Sequence, residues 1–210
     1  MLEKSSISHK KNQVDRERIL QKADQLFTEH GYRGVSIRMI AEASEVTNAA
    51  LYYHFKNKAA LFAEVMRRHA DKIGAQIKEA AVREDTYREK IAAMAATYFR
   101  LVSDRRSFMH LLRQDRGDIA VEADKTQFVD MLTTVFRPFD QVLGQAEAEG
   151  VVIDLPEKYS GAALLVGMLH SLGGYRMFCH GEQLTKEDVY FLVDILWQGI
   201  SSANQENQGE

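Results

Sequence analysis

The segment SIRMIAEASEVTNAALYYHFKNK, residues 36–58, constrains this chain more than any other. It reads as two short helices separated by a tight turn. Ile40 and Ala41 fall on the first helix, Val46 just after the turn and Leu51 on the second. That spacing locks the helices at a steep angle. Ala41 is small because the helices cross closely there, while Ile40, Val46 and Leu51 form the shared apolar seam. The arrangement is a helix-turn-helix, whose second helix is shaped to lie in the major groove of duplex DNA.

The pattern becomes specific at Ala50-Leu51-Tyr52-Tyr53-His54-Phe55-Lys56-Asn57-Lys58. Gly31-Tyr32 stands upstream, and Ser36-Ile37-Arg38-Met39-Ile40-Ala41-Glu42 lies between. With these motifs, residues 14 to 65 resemble the N-terminal DNA-binding domain of the TetR/AcrR family of bacterial transcriptional regulators. Beyond them the likeness is one of all-helical architecture and length. The resemblance implies an all-α fold of about nine helices. A three-helix helix-turn-helix domain would be followed by a helical ligand-binding and dimerisation domain.

Charge supports this division. The net charge of −3 is unpromising for a DNA binder until it is divided along the chain. Residues 1–58 carry ten Lys/Arg against seven Asp/Glu, a net +3, while the remainder carries 17 against 23, a net −6. DNA is the expected partner of one end and something else of the other. The single cysteine, Cys179, excludes an intramolecular disulfide framework and fits a reducing cytoplasm. The polar start MLEKSSISHKK does not read as a secretory signal. The longest apolar stretch, Ala162 to Leu172, is interrupted by His170 and too short to span a bilayer, so no membrane partner is expected.

Along the chain, residues 1–13 read as a disordered basic tail, 14–58 as the helix-turn-helix domain, 59–203 as the helical body and 204–210 as a polar tail. A first helix is expected from about Val14 to His30, its apolar face carrying Ile19, Ala23, Leu26 and Phe27, with Gly31 ending it. Ser36 and Thr47 are placed to cap the next two helices, and Asn57 a long fourth one reaching about Ala81. Further helices are expected over residues 86–103, 106–115, 122–149, 157–179 and 186–203, with Pro138 kinking or splitting the third of these. No stretch alternates with period two, so no sheet is expected.

The groove-facing side of the recognition helix carries Thr47, Asn48, Ala49, Ala50, Tyr52, Tyr53 and His54. Asn48 can donate to and accept from an adenine edge, and the Ala49 and Ala50 methyls can meet thymine methyls. By the resemblance, Tyr52, Tyr53, His54 and Lys58 hold phosphates and fix register. Ser36 can offer its backbone N–H to a phosphate at a helix start. Arg38 matches a position that reaches a guanine in some relatives. Two residues depart from the family pattern. Glu45 takes the turn position where glycine is usual and is expected to adopt positive φ; Asn48 replaces the usual basic residue at the helix start.

The body is rich in adaptable apolar residues. Met94, Tyr98, Phe108, Phe128, Met131 and Met168 suit a pocket for a small apolar or amphipathic inducer, and serve a plain helical core equally well. His110, Arg113 and His170 are the polar groups placed to orient a ligand. The glycine-rich segment around Leu164, Leu165, Met168 and Leu172, with Val189, Leu192, Leu196 and Ile200 on the last helix, is expected by family likeness to form a homodimer interface. A two-fold dimer would read a pseudo-palindromic operator.

Enzymatic readings fare worse. None of the seven histidines pairs with another at four-residue helical spacing, and no glycine-rich phosphate loop occurs. Cys179 and His180 are adjacent, which sets their side chains about 100° apart on a helix and makes nucleophile–base pairing awkward. No cofactor and no metal site is expected. The competing reading is a helical protein-interaction adaptor without DNA binding.

Overall fold

A computed structural model describes residues 2–103, 125–153 and 160–201, with only the backbone of 2–11 and 125–128. Among these residues the chain forms eight helices and no strand. They are α1 (Leu2–Gly34), α2 (Ile37–Ala43), α3 (Asn48–His54), α4 (Lys58–Ala81), α5 (Tyr87–Ser103), α6 (Lys125–Ala148), α7 (Gly161–His180) and α8 (Lys186–Ile200). The helix expected over 106–115 lies outside the described residues. The only ladder-like pairing among them is one antiparallel bridge between Val152 and Ser201.

The described residues divide into two compact units, 2–69 with 103 and 125–131, and 70–102 with 132–153 and 160–201. The division falls inside α4, between His69 and Ala70, rather than ahead of it.

In the first unit, α1 starts at Leu2, well before Val14, so the backbone of 2–13 is helical where a disordered tail was expected. The segment holds no glycine or proline, and lengthening an existing helix avoids the cost of a new nucleus. Gly31 interrupts the helical path with φ 73°, a conformation that glycine adopts without a Cβ clash. The chain's return at this point brings three rings together. Phe27 lies 5.0 Å from Phe62 edge-on and 5.9 Å from Tyr32, and Tyr32 lies 4.8 Å from Phe62. Ile19, Leu20, Ala23, Ile40, Leu51 and Leu61 complete a fully buried core. Two polar contacts fasten α1 to α4: Glu17 accepts from Arg68 at 2.7 Å, and the Asp24 carboxylate lies 2.7 Å from His69 Nε2.

The second unit packs Ile77, Ile91, Met94, Phe139, Leu165 and Leu169 out of solvent. Pro138 does not split its helix; α6 runs unbroken through it. A proline removes one backbone hydrogen bond, and tertiary packing offsets that loss. On α4, Gly74 meets α6 so closely that a Cβ there would stand 2.9 Å from the Thr134 carbonyl oxygen. Gly181 closes α7 with φ 70°, and Thr185 opens α8 through a reciprocal capping box with Asp188. Arg176 ties the two helices, donating to Asp188 at 2.6 Å and Glu182 at 2.7 Å. Arg88 of α5 donates to Asp194 of α8 at 2.7 Å.

Candidate nucleic-acid interface

The expected caps define the interface. Ser36 Oγ accepts from the Met39 N–H at 3.2 Å and starts α2; Thr47 Oγ1 accepts from the Ala50 N–H at 3.1 Å and starts α3. Asn57 Oδ1 accepts from the Ala60 N–H at 2.8 Å at the head of α4. Each satisfies a donor that the first helical turn leaves unpaired. The turn between α2 and α3 is tight. Glu45 has φ 54°, and the Val46 N–H reaches back to the Ala41 carbonyl at 3.0 Å. Glu45 therefore occupies the left-handed region that its position in the motif demands.

The seam is also as expected. Ile40 and Leu51 are fully buried, Ala41 nearly so and Val46 half-buried. Sequence reasoning passed over Ser44, which is fully buried beside the crossing with its hydroxyl lacking a hydrogen-bond partner. A small residue fits there for the same reason as at Ala41, and only the crossing geometry reveals it. Phe55 is buried too, under the Arg16 guanidinium 5.2 Å from its centroid.

With its inner face fixed by Leu51, α3 presents Asn48 and Ala49 to solvent, with Thr47 exposed at its cap. Tyr52 is 53% and Tyr53 74% exposed, an unusual burden for two aromatic side chains on a seven-residue helix. Ala50 and His54 are half-buried, and the His54 ring lies edge-on to Tyr53 at 5.2 Å. The Tyr53 hydroxyl accepts from Asn12 Nδ2 of α1 at 3.3 Å. Ser36 and Arg38 are exposed on α2 and its cap. Arg38 is not idle: its Nε donates to Glu42 at 2.8 Å, and that hydrogen bond raises the guanidinium's pKa.

Lys58 corrects the expectation of a phosphate contact. Its Nζ turns inward, donates to the Tyr32 and Val35 carbonyls at 3.0 and 3.2 Å, and sits over the Tyr32 ring. The end of α1 at Gly34 leaves carbonyls that need donors, and the lysine supplies them.

In the body, Met94 and Tyr98 are buried in the second unit, and Met131 in the first. Met168 is half-buried. The structure brings an expected pocket-lining residue to an expected ligand-orienting one: Tyr98 Oη lies 2.7 Å from His170 Nε2, with Phe136 6.2 Å from the tyrosine ring. Phe108, His110 and Arg113 lie outside the described residues, as does the side chain of Phe128. The expected dimer stripe needs correction. Leu165, Val189, Leu192, Leu196 and Ile200 are buried within the chain itself, so they cannot meet a second copy. Leu164 is exposed, and Met168 and Leu172 are half-buried. Besides Leu164, the large apolar residues that α7 and α8 leave in solvent are Tyr175, Met177, Phe178 at 92%, Phe191 at 62% and Ile195. Among the described residues no cluster of His, Cys, Asp and Glu could hold a metal ion, and no helix is long and apolar enough to cross a membrane.

Residues 19–65 match the family model for bacterial regulatory proteins of the tetR family, and this interval contains the capped α2–α3 pair and its buried seam. This interval is a TetR-family domain. It is similar to the HTH-type transcriptional repressor KstR2 of Rhodococcus jostii, 26% identical over 122 residues, which cover 58% of this chain and 59% of that protein. It is also similar to the HTH-type transcriptional regulator AcrR of Shigella flexneri, 40% identical over 62 residues, 30% of this chain and 29% of that one. The chain thus aligns with less than two thirds of the length of these relatives. A crystal structure of a TetR family transcription regulator from Marinobacter aquaeolei VT8 superposes with a TM-score of 0.62 at 16% identity. That match covers 92% of this chain and 98% of the other, and shows that the two share an all-helical fold.

Proposed function

We propose that this chain is a ligand-responsive transcriptional regulator that binds a pseudo-palindromic operator as a two-fold dimer and acts as a repressor. The observation that carries the reading is α3: its inner face is fixed by fully buried Leu51, while Asn48, Ala49, Tyr52 and Tyr53 stand in solvent. Such a helix enters a major groove without reorganising. Asn48 reads an adenine edge, Ala49 and Ala50 meet thymine methyls, and Tyr52, Tyr53, His54 and the Ser36 N–H engage phosphates.

The exposed apolar residues of α7 and α8 support self-association. Tyr175, Phe178, Phe191 and Ile195 would form an isologous interface, each patch meeting its own copy. The Tyr98–His170 pair supports ligand response, because it offers a hydroxyl and an imidazole to the polar end of a small amphipathic inducer. Occupancy would reach the DNA-binding residues through α4, whose residues belong to both units. An effective switch requires the inducer to prefer the DNA-incompetent arrangement by about 5 kcal/mol. Chemistry on a substrate is not part of this reading.

The test is binding of the purified protein to duplexes recovered from genomic fragments, followed by anisotropy. Asn48→Ala is expected to cost about 1–3 kcal/mol on the operator and almost nothing on random duplex. Equal losses on both would remove its base-reading role. No salt-sensitive retention on any duplex would leave the protein-interaction adaptor as the better reading.

A further inference from the structure

The C-terminal end of the recognition helix meets a charged residue from outside the helix-turn-helix segment. Beyond Leu51, α3 buries none of its own residues: Tyr52 and Tyr53 are exposed and His54 is half-buried. The next anchor is Phe55, which leaves the helix in an extended conformation, donates its N–H to the Leu51 carbonyl at 2.9 Å and is buried. On one side its ring meets a guanidinium, that of Arg16 on α1, 5.2 Å from the centroid. Ile19 and Leu20, one turn further along α1, are fully buried, so Arg16 stands at the edge of that helix's inward face. The guanidinium is itself held from α4. Glu64 lies 3.2 Å from Arg16 Nη2, and the same carboxylate oxygen accepts from Arg67 at 2.9 Å. The Glu64 side chain is 20% exposed against 40% for Arg16, which makes the carboxylate the better-fixed partner. Two contacts in series thus join α4 to the end of α3 by way of α1, and all of them lie within the first unit.

We infer that Arg16 is a positioning residue for operator reading: held by Glu64, its guanidinium sets the end of α3, and a shift of the early turns of α4 reaches Tyr52 and Tyr53 through this pair. Arg16 acts through Phe55 and does not touch the duplex. Its contribution is therefore to discrimination, which depends on how exactly α3 is seated, rather than to the charge attraction that every duplex shares. The inference rests on the DNA-binding reading proposed above.

The sign of one substitution separates this role from a direct phosphate contact. If Arg16 bound a phosphate, Glu64→Gln would release it and tighten binding to every duplex, and Arg16→Ala would take about 0.9 from the slope of log affinity on log salt. The test measures the full chain, Arg16→Ala, Glu64→Gln and the double variant by anisotropy on operator and random duplexes over a salt series. Each single variant should lower the operator-to-random affinity ratio about three- to tenfold, the size of a partly desolvated cation–π contact, with the salt slope unchanged. The double variant should lose little more than either alone. Hydrogen exchange of the free protein supplies a readout without DNA. The Phe55 amide should exchange faster in both single variants, while the Val46 amide, bonded to the Ala41 carbonyl ahead of α3, keeps its protection. A wild-type protein that binds its operator while both variants keep its affinity ratio would overturn this inference alone. So would tighter binding of Glu64→Gln to all duplexes. Equal loss of protection at Phe55 and Val46 would overturn it as well, because the variants would then only be less stable. Failure of the wild type to bind any duplex would instead overturn the DNA-binding reading, and this inference with it.

Discussion

The Lys58 ammonium lies 4.1 Å from the centroid of the Tyr32 ring while donating to that residue's own carbonyl at 3.0 Å. A positively charged residue in the most recognisable motif of the chain thus serves the interior of its domain. Lys58→Ala should lower unfolding stability by about 1–2 kcal/mol, from the lost charge-assisted bonds and cation–π contact. The salt slope of DNA binding should stay unchanged. Urea unfolding and an anisotropy salt series check the two halves, and a shallower slope would return Lys58 to the phosphates.

Glu45 holds φ 54° without being glycine. Left-handed backbone costs a residue with a Cβ about 1–2 kcal/mol, and glycine returns part of that in unfolded-state entropy. Glu45→Gly should therefore stabilise the protein by about 0.5–1 kcal/mol. Glu45→Gln keeps the strain and removes the charge. At low salt both variants should bind DNA more tightly than wild type, but only the glycine should raise Tm.

Arg38 meets DNA in competition with Glu42, whose carboxylate accepts from its Nε and offsets its charge. Glu42→Gln should tighten operator binding, and that gain should vanish in the Arg38→Ala background. A double-mutant cycle on operator affinity measures the coupling. Additive effects would show that Glu42 acts on binding independently of Arg38.

The two apolar surfaces of α8 should respond differently to substitution. Ile195→Glu, on the exposed side, should leave Tm nearly unchanged and shift sedimentation toward the monomer. Leu196→Ala, one residue on and buried, should cost about 2–4 kcal/mol in stability. Dimers that survive Ile195→Glu together with Phe191→Glu would place the interface elsewhere.

Acid should weaken the α1–α4 clasp. Arg67 first, and then Arg16, hold the Glu64 carboxyl below the ordinary carboxylate range. The folded protein thus gives up this proton more readily than the unfolded chain. Its stabilisation is complete above the unfolded value of about 4.3 and is lost as pH falls through the lower folded value. Glu64→Gln should make the fall of Tm between about pH 6 and about pH 3 shallower, as followed by circular dichroism.

Local chemistry was readable from the residues. Ser36, Thr47 and Asn57 each cap the helix they precede, because a short side-chain oxygen beside unpaired N–H groups acts within a few residues. The positive φ of Glu45 followed from its place in the turn. What could not be read depends on which of two equivalent partners a group meets. A lysine at position 58 looks the same in sequence whether it faces a phosphate or a carbonyl. The Val189–Leu192–Leu196–Ile200 stripe announces a buried face, but periodicity does not say whether the covering surface belongs to the same chain. Tyr98 and His170 were each singled out, yet their contact spans two helices and no spacing rule links them. Pro138 shows the limit of a strong local signal, since one missing hydrogen bond did not end α6.

The Gly74–Thr134 approach has a mechanical consequence for α4. Thr134 stands four residues before Pro138, which has no N–H to give its carbonyl, and it is this same oxygen that a Cβ at position 74 would strike. A proline on one helix and a glycine on the other thereby clear room for two backbones to touch. Any side chain larger than hydrogen at position 74 would therefore wedge α4 away from α6.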